Sequence, residues 1–236
     1  MNSETLFARY SRQIFIDEVG VAGQREIIKA KVLVIGAGGL GSPVIQYLAA
    51  AGVGYLAAAD FDTVALHNLN RQLIHSEESV GTAKVHSAAQ FVRRLNSQIK
   101  FQAICEKIDC SNAEKLLSSY DLIIDGSDNF ATRYLINDTC QKLGKPLVYG
   151  SVLGFRGQVA VFGYKKSRYL RDIFPEPPAA EDSPDCDGLG VLGPLPGIVG
   201  SMMADLALKI IIGLPVPINQ LTLIDTLHWN FQTLEF

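Results

Sequence analysis

Apolar residues first gather in a short uncharged run, Val32-Leu33-Val34-Ile35, opened by Lys31 and closed by Gly36, the pattern of a strand covered on both faces. A helix is expected from Gly41 to about Ala51, and a second strand, GYLAAAD, ends at Asp60. From Thr82 to Asn96 the apolar positions Val85, Ala88, Ala89, Val92 and Leu95 recur at helical spacing. Cys105 falls on a predicted strand and Cys110 at its end. LIIDGSD, Leu122 to Asp128, reads as a strand with a polar carboxyl end; a helix over Asn129 to Leu143 and the strand PLVYGS follow. After RGQVAVFGY the pattern loosens, because Phe174 to Gly190 holds Pro175, Pro177, Pro178 and Pro184 among acidic residues and fits neither helix nor strand. A helix over Ile198 to Ile212 and a strand over Leu221 to Asp225 come next, and the tail HWNFQTLEF adds a last strand or a contact surface.

Strands alternating with helices predict an α/β fold, and no internal repeat or low-complexity tract interrupts it. The expected organisation is one domain over residues 1–236. It comprises an N-terminal helical arm (1–29), a nucleotide-binding core (30–162), a crossing loop (163–197) and a C-terminal helix with strands (198–236). Ligands of open parallel sheets sit beyond the carboxyl ends of the strands, so Gly36 to Gly41, Asp60 and Asp125 to Asn129 are expected to meet in one crevice.

Composition narrows the function. The 236 residues are 48% hydrophobic and 19% charged, as in ordinary globular proteins, and a net charge of −3 argues against a nucleic-acid partner. The uncharged stretch from Val32 to Ala59 has the length of a membrane span, but its six glycines and Pro43 fit strand, turn and helix instead. The first fifteen residues hold Glu4, Arg9 and Arg12 and lack a signal-peptide core, so no membrane and a cytoplasmic address are expected. Cys105, Cys110, Cys140 and Cys186 form no C-x-x-C pair. His67, His75, His86 and His228 show no metal-ligand spacing and are read as surface or core residues.

The candidate chemistry starts at G-A-G-G-L-G. Gly36, Gly38 and Gly41 occupy the fingerprint positions, with Gly39 between them, after a strand and at the start of a helix; backbone N–H groups there can approach a phosphate. Asp60 lies where such folds place a carboxylate on ribose hydroxyls. These features alone equally suit a nicotinamide-dependent oxidoreductase.

The next stretch is more specific. In order, the chain carries R-Y-S-R-Q (Arg9 to Gln13), the glycine turn, D-F-D-T-V (Asp60 to Val64, including Asp62), N-L-N-R-Q (Asn68 to Gln72) and D-G-S-D-N (Asp125 to Asn129). This set resembles the E1-like activating enzymes of the ThiF, MoeB and HesA family, and is most like ThiF. The resemblance implies a Rossmann-like doubly wound sheet, mostly parallel in its N-terminal part, with antiparallel strands added C-terminally. It implies ATP and Mg²⁺ as cofactors and adenylylation of the C-terminal Gly-Gly of a ubiquitin-like sulfur carrier. The carrier expected is ThiS-like, for thiamine thiazole synthesis, with a MoaD-like carrier for molybdopterin as the alternative. Carried over to this chain, Asp60 holds ribose; Asn68, Arg71 and Lys84 surround the phosphates, beside Asp62 and Gln72; Asp128 holds Mg²⁺; and Arg12 reaches the site of a second subunit in a homodimer. Fixed cations suit this chemistry, since attack of a carboxylate on the α-phosphate builds charge on phosphate oxygens and departing pyrophosphate.

Cys186 lies where relatives carry a cysteine that joins the activated carrier or relays sulfur from a donor protein. The acidic residues around it disfavour the thiolate, so an inert loop thiol is the other reading. The two C-x-x-C pairs that bind a structural zinc in most bacterial relatives are missing: SRYLRDIFPEPP stands at the first location, and no second pair occurs before Phe236, so no zinc is expected. An inactive carrier-binding scaffold is a further reading of that loss.

Overall fold

The computed structural model describes residues 3–178 and 190–236, omitting the side chains of residues 3–5. Among them eight strands form one sheet: β1 (Lys31–Ile35), β2 (Tyr55–Ala59), β3 (Lys100–Ile104), β4 (Leu122–Asp125), β5 (Leu147–Leu153), β6 (Arg156–Phe162), β7 (Gln220–Asp225) and β8 (Asn230–Glu235). Their spatial order is β3-β2-β1-β4-β5-β6-β7-β8. The pairs from β3 to β5 are parallel and those from β5 to β8 antiparallel, as the resemblance implied.

The uninterrupted apolar runs arise because both faces of the sheet are covered. Successive side chains of a strand point to opposite faces, so Val32 and Val34 enter one core while Leu33 and Ile35 enter another. The first core is filled by α3 (Gly41–Ala51), α4 (Lys84–Leu95) and α7 (Pro194–Ile211), through Ile45, Leu48, Val85, Val199 and Met203. The second is filled by α5 (Ala113–Ser118) and α6 (Phe130–Leu143), through Leu117, Ile136 and Cys140. The N-terminal arm is α1 (Ser3–Ile14) and α2 (Gly20–Lys29). Tyr10 and Gln13 of the R-Y-S-R-Q motif tie it down: the Tyr10 hydroxyl accepts from Asn96, and Gln13 donates to Gln24 and to the Ala51 carbonyl at the end of α3.

Several boundaries differ from expectation. Helix α7 begins at Pro194 rather than Ile198, within the predicted crossing loop; proline is tolerated in a first turn because those backbone N–H groups have no partner inside the helix. Strand β4 stops at Asp125, where the carboxylate accepts hydrogen bonds from the Ser127 amide (2.9 Å) and hydroxyl (2.6 Å) and turns the chain. Strand β3 ends at Ile104, so Cys105 is not in it; Cys105 and Cys110 are exposed, and Cys140 alone of these three is buried, its thiol pushed up to about 12 by burial. Helix α7 is long and apolar enough to cross a membrane by composition, yet it packs against α3, β5 and β6. The uncharged stretch from Val32 to Ala59 folds as β1, α3 and β2.

The segment before residue 179 is pinned to α6. Arg171 makes a two-pronged pair with Asp138 at 2.7 and 2.9 Å, its guanidinium 4.8 Å from the Tyr134 ring centre, and the Tyr134 hydroxyl lies within hydrogen-bond distance of the Phe174 and Glu176 carbonyls. Cys186 and its acidic neighbours lie outside the described residues.

Candidate active site

Strand β1 is followed in sequence by β2 on one side, and its other neighbour is β4, so the sheet reverses direction of growth between β1 and β4. Loops leaving the carboxyl ends of two such strands part and leave a crevice. A cavity of about 410 Å³ opens there, within the size range of small-molecule sites.

The glycine turn forms its floor. Gly36 has φ +90°, and a Cβ on it would stand 2.7 Å from the Gly126 carbonyl oxygen; a Cβ on Gly41 would fall 1.9 Å from the Gly36 carbonyl oxygen. The turn can therefore be this tight, and this close to the β4 loop, only with glycine at both positions. Gly36, Gly38 and Gly39 reach the cavity wall, whereas Gly41 lies behind it and starts α3.

Asp60 follows β2 at the edge of the cavity. One carboxylate oxygen accepts the Ala37 N–H and the other the Asp62 N–H, each at 2.8 Å, which fixes the group while leaving acceptor capacity for hydroxyls. Burial raises its pKa, against the lowering by the Ala37 hydrogen bond and the Lys84 charge.

Lys84, Arg71, Gln72 and Asp128 share this wall. Lys84 is 7% exposed and opens α4, where the helix dipole disfavours a cation. Asp62 offsets that cost with a carboxylate 2.8 Å from Nζ, and its carbonyl accepts the Lys84 N–H at 2.9 Å. Arg71 donates to the His67 carbonyl and the Asn70 side chain, at 3.1 and 3.0 Å. Gln72 Oε1 is buried with no hydrogen-bond partner among the described residues. Asp128 is exposed at the wall, and it is Asn129, not an aspartate, that caps α6 by accepting the Thr132 N–H at 2.9 Å.

Besides Gly41, two expected site residues among those described do not reach this wall. Asn68 is buried behind it, where its side chain accepts the Ala65 N–H and its carbonyl accepts from Arg71 and Gln72. Arg12 is exposed in the last turn of α1 and does not line the chain's own cavity.

The structure adds residues that motif reading passed over. Phe61, Glu106, Lys107 and Ile108 line the side near β2 and β3; the last three follow a strand's carboxyl end, a signal available once β3 is placed. Arg133 is buried between Tyr149, whose hydroxyl accepts at 2.8 Å, and the Ser127 carbonyl at 2.7 Å, with its guanidinium 4.8 Å from the Tyr149 ring centre. Its Nε stands 3.9 Å from Asp125, a fully buried carboxylate whose pKa burial raises. Arg133, Phe130, Ser151, Leu153 and Pro178 also line a second cavity of about 760 Å³, which runs over β5 to β8 past Tyr134, Gln158 and Asp225. His228, read as a surface or core residue, stands 3.0 Å from Asp225.

The residues present fit a nucleotide triphosphate with its metal: a turn of glycines, the two cations Arg71 and Lys84, and the two carboxylates Asp60 and Asp128 share one cavity. Magnesium takes one or two protein carboxylates with phosphate oxygens and water. Among the described residues no three His, Cys, Asp or Glu side chains are grouped to hold a metal by themselves.

The ThiF family profile matches residues 10–236. The chain is 48% identical over 206 residues to the adenylyltransferase and sulfurtransferase MOCS3 of Culex quinquefasciatus, covering 87% of this chain but 47% of that protein, so it spans about half the relative's length. It is 43% identical over 232 residues to the sulfur carrier protein adenylyltransferase of Thermus thermophilus, covering 96% of this chain and 86% of that one. The crystal structure of E. coli MccB with MccA-N7isoASN superposes with a TM-score of 0.85 at 18% identity, over 100% of this chain and 72% of that one, a likeness of fold. Over residues 10–236, nearly its whole length, this chain belongs to the ThiF family.

Proposed function

We propose that this protein uses ATP·Mg²⁺ to adenylylate the C-terminal Gly-Gly carboxylate of a ubiquitin-like sulfur-carrier protein. The observation that carries the reading is the single cavity in which the glycine turn meets Arg71, Lys84 and Asp128. A nicotinamide cofactor offers a pyrophosphate to the two cations but brings no metal for Asp128 to hold.

In this reading the triphosphate lies on the glycine turn, with Asp60 on the ribose. A carboxylate oxygen of the tail attacks the α-phosphorus, and the bond to pyrophosphate breaks. Arg71 offers a planar fork to phosphate oxygens and Lys84 a compact charge, so the charge that develops meets cations already in position. The metal, when bound at Asp128, neutralises phosphate charge. The second cavity gives an extended Gly-Gly tail a route, because its wall at Phe130, Arg133, Ser151 and Leu153 is shared with the first. A persulfide on a sulfur donor protein then attacks the acyl carbon and displaces AMP, leaving the tail joined to the donor through an acyl disulfide. A thiol, for which Cys186 is proposed, attacks the donor-side sulfur, so that the S–S bond breaks, the thiocarboxylate leaves and a disulfide joins that thiol to the donor. Arg12 serves a second copy of the chain in a homodimer. A ThiS-like carrier for thiamine thiazole synthesis is the first candidate and a MoaD-like carrier for molybdopterin the alternative.

Carrier-dependent exchange of label between pyrophosphate and ATP tests the reading, with both carriers assayed side by side. Exchange is expected with one of them and is expected to fall at least about a hundredfold in Arg71→Ala and Asp128→Ala, the scale of removing a preorganised transition-state partner. Tight binding of ATP and carrier without exchange would sink it in favour of a scaffold.

A further inference from the structure

Ala37 is the fully buried second residue of the glycine turn, and side chains from distant parts of the chain take both polar groups of its backbone. Its N–H donates to Asp60 Oδ2 at 2.8 Å, and its carbonyl oxygen lies 2.9 Å from His75 Nε2. The other ring nitrogen, Nδ1, lies 2.9 Å from the Ser87 hydroxyl on α4. A carbonyl only accepts, so the hydrogen must sit on Nε2; in a neutral ring Nδ1 then accepts the Ser87 O–H. His75 is 8% exposed and lies off the cavity wall. Burial lowers its pKa and the charge of Lys84 adds to that, against the raising by the Ala37 hydrogen bond and the Asp60 charge; the net direction favours the neutral ring.

We propose that His75 is a positioning residue for nucleotide phosphate. As a neutral Nε2–H donor it holds the Ala37 carbonyl away from the cavity, and with Asp60 it clamps both sides of this residue so that Gly38 and Gly39 present their backbone to the phosphates. Without the clamp, a buried carbonyl would lack its donor, and the turn would rotate to find one. The proposal rests on the reading of the cavity as an ATP site.

The amide nitrogen of glutamine reaches where imidazole Nε2 sits, whereas that of asparagine reaches only as far as Nδ1. Calorimetric titration of ATP·Mg²⁺ into His75→Asn is expected to show affinity weakened about tenfold, the cost of an unmet buried acceptor. His75→Gln is expected to restore most of that affinity. Ser87→Ala, which removes a core hydrogen bond but leaves the Ala37 contact, is expected to bind ATP like the parent. In the carrier-dependent exchange assay, His75→Asn is expected to raise KM for ATP and leave KM for carrier unchanged.

Equal ATP affinity in the parent and His75→Asn would overturn the proposal, and so would equal losses in all three variants. A parent that binds no ATP would instead remove the nucleotide reading itself. Should His75→Asn fail to fold, nitrogen NMR of the parent decides: the resonance is expected to report a neutral ring protonated at Nε2 at pH 7. A ring protonated at Nδ1 alone, or a charged one, would overturn the proposal.

Discussion

Lys84 shows how a single position records its purpose. A buried lysine at the positive end of a helix is disfavoured both by desolvation and by the dipole; Asp62 stabilises it with a direct ion pair from a side chain 48% exposed, and the nearby Asp60 charge adds to that. Replacing Asp62 with asparagine removes the counter-charge and is expected to cost about 1 kcal/mol, near the low end for ion pairs because one partner is half in water. A bound triphosphate supplies negative charge to the same cation. The rise in melting temperature on adding ATP·Mg²⁺ is therefore expected to be larger for Asp62→Asn than for the parent, and equal rises would count against Lys84 facing phosphate. The family resemblance could name Lys84 and Asp62, but it could not show that they pair across 22 residues.

Elements were legible where one periodicity ruled. The helices α3, α4 and α6 fall close to the spans their apolar spacing predicts, and β1 and β2 follow from β-branched and small apolar runs bounded by glycine and aspartate. Legibility failed at ends governed by side-chain bonds: Asp125 stops β4, and the proline-led first turn of α7 resembles a loop in composition. The chain before residue 179, rich in proline, is held by contacts that no periodicity records. Tyr134→Phe removes the hydroxyl that bridges to the Phe174 and Glu176 carbonyls while keeping the ring under Arg171. Amide hydrogen exchange over residues 173–176 is expected to quicken in this variant, with α6 itself unchanged. Unaltered exchange there would show that Arg171 and Asp138 suffice.

At the scale of the molecule, sheet order decides the chemistry, because growth of the sheet in both directions from β1 brings the glycine turn and the β4 loop to one crevice. The exposed Arg12, on an arm whose Tyr10 and Gln13 face inward, motivates the homodimer proposed above. Mixing inactive Arg12→Ala subunits with inactive Asp128→Ala subunits is expected to restore exchange activity, since one site of each mixed dimer would draw both residues intact, up to about a quarter of parental activity when half the dimers are mixed. No recovery after demonstrated subunit exchange would place Arg12 outside the active site.

By itself the sequence determined the turn, the order of polar residues after each strand and most helices, because these depend on backbone sterics and on side-chain periodicity within a few residues. Only tertiary structure decided that Asn68 stands behind the wall, that Arg133 lies between two cavities, and that His75 clamps a carbonyl 38 residues away. Those outcomes depend on which buried donors and acceptors meet once the sheet has assembled. Pairings between distant segments leave no repeating pattern along a single chain.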